Sequence, residues 1–244
     1  MSTASNPKLI RNPYSKGPIK KHEDLAGRRS ELNDIRYYLD LTAGGDNPHL
    51  ALIGPSGVGK TSLLTGVEAI ATELKLLPVS FCMDNELAKN PGRFWRDFYL
   101  SLTASMAEAG CWEGEKNNIY LNLVKMLSSN QEGSPKNVLK VPYHFSCHPD
   151  STETFQCPTG LVGKDLEKCL EELGKQGLSG LVFLIDEAEN FYENQHLLKS
   201  LRNVFQRIDS CSLVLTGTEP LFKALTELYG DDTGQFHQIN IDPF

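Results

Sequence analysis

The chain has 244 residues, 40% hydrophobic and 23% charged, which is enough apolar content for a buried core and excludes disorder along its whole length. Its 24 Lys+Arg against 31 Asp+Glu leave −7, unevenly distributed: residues 1–29 carry seven basic and two acidic side chains, a segment of +5, and the remainder is −12. An acidic body argues against a surface built to follow a phosphate backbone, and no run nears the roughly 20 apolar residues that span a bilayer.

Residues 1–24 are a basic lead-in rich in Pro, Lys, Asn and Ser, and 25–244 are expected to form one domain. From Ser30 to Leu41 the apolar positions Leu32, Ile35 and Leu39 recur at helical spacing, until the turn-forming run Gly44 to Pro48 breaks the pattern. Leu50–Ile53 is a short, unalternating apolar run ending at Gly54, as in a strand buried on both faces. Leu63, Leu64, Val67, Ile70, Ala71 and Leu74 then trace a helix stripe, and Leu77–Cys82 predicts a second strand. Helices are expected over 92–109, with Phe94, Trp95, Phe98, Tyr99 and Leu102 as core, and over 117–128.

Residues 129–163 differ: four prolines, many polar residues and no sustained period mark an insertion. His144, Cys147, His148 and Cys157 lie within it, but their spacing suits no closed zinc site, so an ordinary loop is expected. Helical spacing returns at Leu166, Cys169, Leu170 and Leu173, followed by the most apolar strand, Leu181–Ile185. A helix through Leu197, Leu201 and Ile208, a strand Ser212–Leu215, a short helix through Leu221 and Leu228, and a last strand near Phe236–Ile241 complete the pattern. Alternating strands and helices call for a parallel sheet covered by helices on both faces. The six dispersed cysteines read as reduced, packed thiols, and with no apolar leader a soluble, cytoplasmic protein is expected.

Gly54-Pro55-Ser56-Gly57-Val58-Gly59-Lys60-Thr61 satisfies the phosphate-loop pattern G-x-x-x-x-G-K-S/T at every specified position. Glycines let the backbone curl so that successive N–H groups face phosphate oxygens, and the following helix adds its positive end. Residues 54–62, closing at Ser62, are therefore the candidate nucleotide-binding segment. Lys60 is expected to reach the β- and γ-phosphates and Thr61 to ligate Mg²⁺. The strand Leu181–Ile185 runs into Asp186 and Glu187, which places both carboxylates at the carboxyl edge of the sheet, where ligands bind in such folds. Asp186 is the second candidate metal ligand and Glu187 the candidate general base toward the attacking water. Glu189 is expected to stand behind this pair or at the surface.

With these motifs in place, the sequence resembles the AAA+ or STAND-type P-loop ATPases, most of all the origin-recognition branch and its bacterial relatives. Leu25-Ala26-Gly27-Arg28-Arg29-Ser30-Glu31-Leu32 resembles the group's opening helix, Leu215-Thr216-Gly217-Thr218 its sensor strand, and Phe236 to Phe244 its last strand and hinge. The resemblance covers about residues 18–244 apart from the insertion. It implies a three-layer α/β fold with a parallel sheet in 5-1-4-3-2 order, adenine held near residues 18–28, and ATP with Mg²⁺ as ligands. It also implies that Thr216 contacts the γ-phosphate or the lytic water; Asp84 and Asn85, just after the second strand, fall where relatives often keep a polar residue in contact with the catalytic glutamate, here Glu187, or else form a simple turn. Two departures follow: the chain stops at Phe244, where a helical lid would begin, and no arginine lies between Ile208 and Phe244 to serve as a trans-acting finger. Such a finger is worth roughly 10³–10⁵ in rate; Arg202 and Arg207 are the available substitutes.

Three functions compete on this reading. The first is a nucleotide switch with slow or partner-dependent hydrolysis, an oligomer or protein partner completing the site. The second is a DNA-associated initiator or transposition-type factor, drawing on the basic arm but opposed by the acidic body. The third is a scaffold subunit that keeps ATP without turnover.

Overall fold

Five apolar runs become strands: β1 His49–Ile53, β2 Leu76–Cys82, β3 Gly180–Asp186, β4 Cys211–Gly217 and β5 Phe236–Asn240. The computed structural model describes residue 25 and residues 27–111, 159–229 and 236–243. All the strand pairs are parallel, in the order β2-β3-β4-β1-β5, which is the expected 5-1-4-3-2 arrangement. The helices are α1 Arg29–Ala43, α2 Lys60–Glu73, α3 Asn85–Lys89, α4 Pro91–Glu108, α5 Thr159–Lys175, α6 Gln195–Phe205 and α7 Glu219–Tyr229, and a 3₁₀ turn, Ala188–Glu193, follows β3.

Because successive strand residues face opposite sides, β3 divides its apolar residues between two layers. Leu181, Phe183 and Ile185 join the larger core with Phe98 of α4, Leu166 of α5, Leu201 of α6 and Leu225 of α7. Val182 and Leu184 join the smaller core with Ile35 and Leu39 of α1 and Leu63 and Val67 of α2. The sheet is thus the middle of three layers. Trp95, Phe98 and Tyr99 are buried as expected, and the Phe98 ring stacks on Phe183 at 4.6 Å.

Several expectations need correction. Helix α5 begins at Thr159, inside the stretch assigned to the 129–163 insertion. Pro158 counts among the prolines that mark the insertion in sequence, yet Val162 and Leu166 are both buried, and packing of that face outweighs the weak helix propensity of Gly160 and Gly163. The short α3 and the 3₁₀ turn carry too few residues to show a period and escaped the sequence reading. Cys111 and Cys211 are buried, but Cys82 is exposed rather than packed. The expected 117–128 helix and the His144, Cys147, His148 and Cys157 group lie outside the described residues. Among the described residues no helix is long and apolar enough to cross a membrane.

Candidate functional site

Past Ile53, residues 54–59 turn the chain back into α2. Glycine at 54 is a packing requirement: a Cβ there would stand 2.4 Å from the Ile241 carbonyl oxygen, where the chain leaves β5. Gly59 occupies the N-cap position of α2 in the left-handed region, at φ 94°. No side chain caps this helix and no acidic residue enters its first turn. Its positive end is therefore open to an anion from outside the chain. Lys60 is half-buried and its Nζ donates to the Gly54 and Pro55 carbonyls at 2.8 and 2.9 Å, holding the ammonium inside the curl of the loop.

Strand parity explains what faces this loop. Ile185 and Leu215, paired across β3 and β4, point into the larger core, so the next residues, Asp186 and Thr216, point to the opposite face, which α2 covers. The Thr61 hydroxyl donates to Asp186 Oδ2 at 2.7 Å, and the buried Thr216 hydroxyl donates to Asp186 Oδ1. The backbone N–H of Glu187 donates to the same Oδ1 at 2.9 Å. Three segments far apart in sequence thus meet on one carboxylate.

Glu187 is exposed and takes the left-handed conformation, φ 54°, an uncommon state for a residue with a side chain. Asn190 holds it there: its Nδ2 donates to the Glu187 carbonyl at 3.0 Å and to the Met83 carbonyl at 2.6 Å. The group that meets the Glu187 side chain is the Cys82 thiol, whose pKa is pushed up to about 11, first by partial burial and then by the charges of Glu187 and Asp186. Asp84, read as either a partner of Glu187 or a turn residue, is the N-cap of α3, accepting from the Leu87 amide at 2.7 Å. Cys82 was missed because a cysteine ending an apolar run reads as core, whereas its register opposite Asp186 places it at the sheet edge. Glu189 stands behind the pair: its Oε1 accepts from the Thr218 hydroxyl at 3.3 Å, and its Oε2 is shielded without a hydrogen-bond partner. Arg202 and Arg207 are not brought to this edge. The C-terminal end of α6 lies at the opposite edge, where Asn47 donates to the Phe205 carbonyl at 3.4 Å.

The arrangement suits a metal-bound triphosphate. An open glycine turn, an uncapped helix start and a lysine form an anion cradle. Hydroxyl and carboxylate oxygens beside it are hard donors of the kind Mg²⁺ takes when phosphates supply its other ligands. Among the described residues no cluster of His, Cys, Asp and Glu offers a rival metal site.

A parallel sheet in this order with a glycine loop between β1 and α2 defines a P-loop nucleoside triphosphatase. The family model described as the AAA domain matches residues 44–225, and the chain belongs to that family. The fold is similar to that of the Aeropyrum pernix ORC2 protein solved as ADPNP–ADP complexes, with a TM-score of 0.51, 12% identity, and coverage of 94% of this chain and 51% of that one. The Aeropyrum pernix ORC1 protein in complex with DNA is also similar, with a TM-score of 0.44, 18% identity, and coverage of 90% and 46%. The chain thus spans about half the length of these structures. No curated protein matches it.

Proposed function

We propose that this AAA domain binds ATP with Mg²⁺ and acts as a nucleotide switch, hydrolysing slowly or only when a partner or neighbouring subunit completes the site. The observation that carries the reading is the meeting of Thr61, Asp186 and Thr216 beside the phosphate loop. In this reading the backbone amides of residues 55–62 and the Lys60 ammonium hold the phosphates, while Thr61 and Asp186 hold the metal. Mg²⁺, when bound, neutralises charge on the transferring phosphoryl oxygens. Glu187, exposed to solvent beside the Cys82 thiol and fixed in backbone, accepts the proton of the attacking water. Thr216 orients that water or the γ-phosphate with the hydroxyl that Asp186 now holds. Dependence on a partner is supported by the site's cations: the Lys60 ammonium lies inside the curl of the loop, while Arg28, the other cation that touches it, is tied to Glu31 and to the Val58 and Asp242 carbonyls.

Two variants test the assignment. Lys60→Ala removes the ammonium and is expected to weaken ATP binding about a hundredfold or more by titration calorimetry. Glu187→Gln keeps shape and binding and is expected to lower turnover by roughly 10²–10⁴. ATP affinity unchanged in the lysine variant would contradict the site.

A DNA-associated role is less well supported. The +5 arm lies within residues 1–29 and the remaining chain is −12, so any nucleic-acid contact through the arm would weaken steeply with salt.

A further inference from the structure

Among the described residues Arg28 is the only buried lysine or arginine, with 6% of its surface exposed. A guanidinium so placed must be compensated, and it is tied to three segments. Its Nη1 donates to Glu31 Oε1 at 2.8 Å, one turn along in α1, which balances its charge. Its Nη2 donates twice more, to the Val58 carbonyl in the phosphate loop at 3.0 Å and to the Asp242 carbonyl beyond β5 at 2.8 Å.

The bond to Val58 has a consequence for anion binding. The peptide between Val58 and Gly59 is rigid and trans, so its N–H points opposite to its C=O. Arg28 holds the oxygen, and the Gly59 N–H therefore points away from Arg28, at the helix start that is open to an anion. A cation on the carbonyl also polarises the peptide and makes that N–H a stronger donor. The bond to Asp242 joins the same guanidinium to the segment leaving β5. Ile241 is fixed there by a ladder bond from its N–H to the Ile53 carbonyl at 2.7 Å, which belongs to the sheet and not to the loop. Gly54 packs against the Ile241 carbonyl, and Arg28 adds a hydrogen-bonded link between Val58 of the loop and Asp242.

We propose that Arg28 is a positioning residue that aims and polarises the Gly59 amide toward phosphate and couples occupancy of the phosphate loop to the placement of residues 241–243. The proposal rests on the nucleotide-binding reading above and adds to it a route by which the switch is felt outside the site. Coupling of this kind is reciprocal: whatever displaces the 241–243 segment shifts ATP affinity by the same factor.

The test is amide hydrogen exchange with and without Mg²⁺ and a non-hydrolysable ATP analogue, alongside affinity by calorimetry. In the wild-type chain the analogue is expected to slow exchange both at 59–63 and at Ile241 and Asp242. Arg28→Lys keeps the charge but lacks the planar fork that reaches two carbonyls. In it affinity is expected to fall about tenfold, with 59–63 still slowed and 241–242 no longer responsive. Asp242→Asn, which leaves the carbonyl in place, is expected to keep both responses. A response at 241–242 that persists in Arg28→Lys, or an unchanged affinity, overturns the proposal. If that variant lacks a cooperative melt, the wild-type chain decides: slowing at 59–63 alone shows the coupling absent. Slowing at neither segment removes the nucleotide-binding reading and the proposal with it.

Discussion

At the amino edge of the sheet the His49 ring is 1% exposed, its Nδ1 accepts from the Leu213 amide at 3.3 Å, and the neighbouring Ser212 hydroxyl donates to the Pro48 carbonyl. At the carboxyl edge Thr61 and Thr216 both spend their hydroxyls on Asp186, and Glu187 stands in solvent. The strands are the same and the polar residue types are similar. The difference lies in the partner. Amino-edge side chains are closed onto backbone, which cannot leave without breaking the sheet. At the carboxyl edge Thr61, Asp186 and Thr216 are closed onto one another, and a ligand can replace either partner while the fold stays intact. One edge therefore carries stability and the other carries exchangeable chemistry.

Substitutions at the amino edge should cost fold and leave nucleotide affinity alone. Gly180→Ala puts a Cβ 2.2 Å from the Ser210 carbonyl oxygen, a backbone atom that cannot swing aside. It is expected to destabilise by about 3 kcal/mol, the upper range for overpacking, read as a fall in denaturation midpoint. A midpoint within error of wild type would dissolve the contrast between the edges.

Acid should act at the same edge. Burial, with a smaller contribution from His237, lowers the His49 pKa to about 4 from its ordinary 6.5, against the Pro48 backbone bond, which raises it. Above pH 6.5 the ring is neutral folded or unfolded, and stability is complete. Between 6.5 and 4 the unfolded chain takes a proton that the folded chain refuses, so stability falls as pH falls, by about 2 kcal/mol at pH 5. His49→Asn supplies an acceptor to the Leu213 amide without titrating. Its unfolding free energy should be flatter between pH 7 and pH 5, and equal slopes in both chains would refute the assignment.

At the carboxyl edge Thr216→Val keeps the shape and removes one hydroxyl. Its expected cost in stability is about 1 kcal/mol, the smallest of the three and a fall of only about 2–4 °C in melting temperature, yet Mg²⁺-dependent turnover at a temperature where the variant is fully folded should drop well below wild type. A variant that loses stability without losing turnover would move Thr216 to the structural side of the comparison.

The legibility of each feature follows from how far apart its residues lie in the chain. Residues 54–61 are contiguous, and their chemistry is local: glycines where the backbone curls, a lysine and a threonine at the helix start. The alternation of strands and helices was equally readable, because periodicity is a short-range signal. Asp186 was legible from the five apolar residues before it, and Thr216 only through resemblance to a sensor strand. The start of α5 is illegible in the sequence because prolines and polar residues break the period locally, while burial of Val162 and Leu166 is decided across the fold.

The sequence by itself determined the phosphate loop, the acidic strand end and the parallel α/β class, since each rests on residues close enough to interact before the chain has folded. Only the tertiary structure decided that Cys82 and not Asp84 meets Glu187, that Glu189 lies behind Thr218, that His49 is held neutral, and that Arg28 joins the loop to the exit from β5. The physical reason is shared: each of these contacts joins different elements, and its partner is set by strand order, register and the parity of the pleat, which no window of the chain contains.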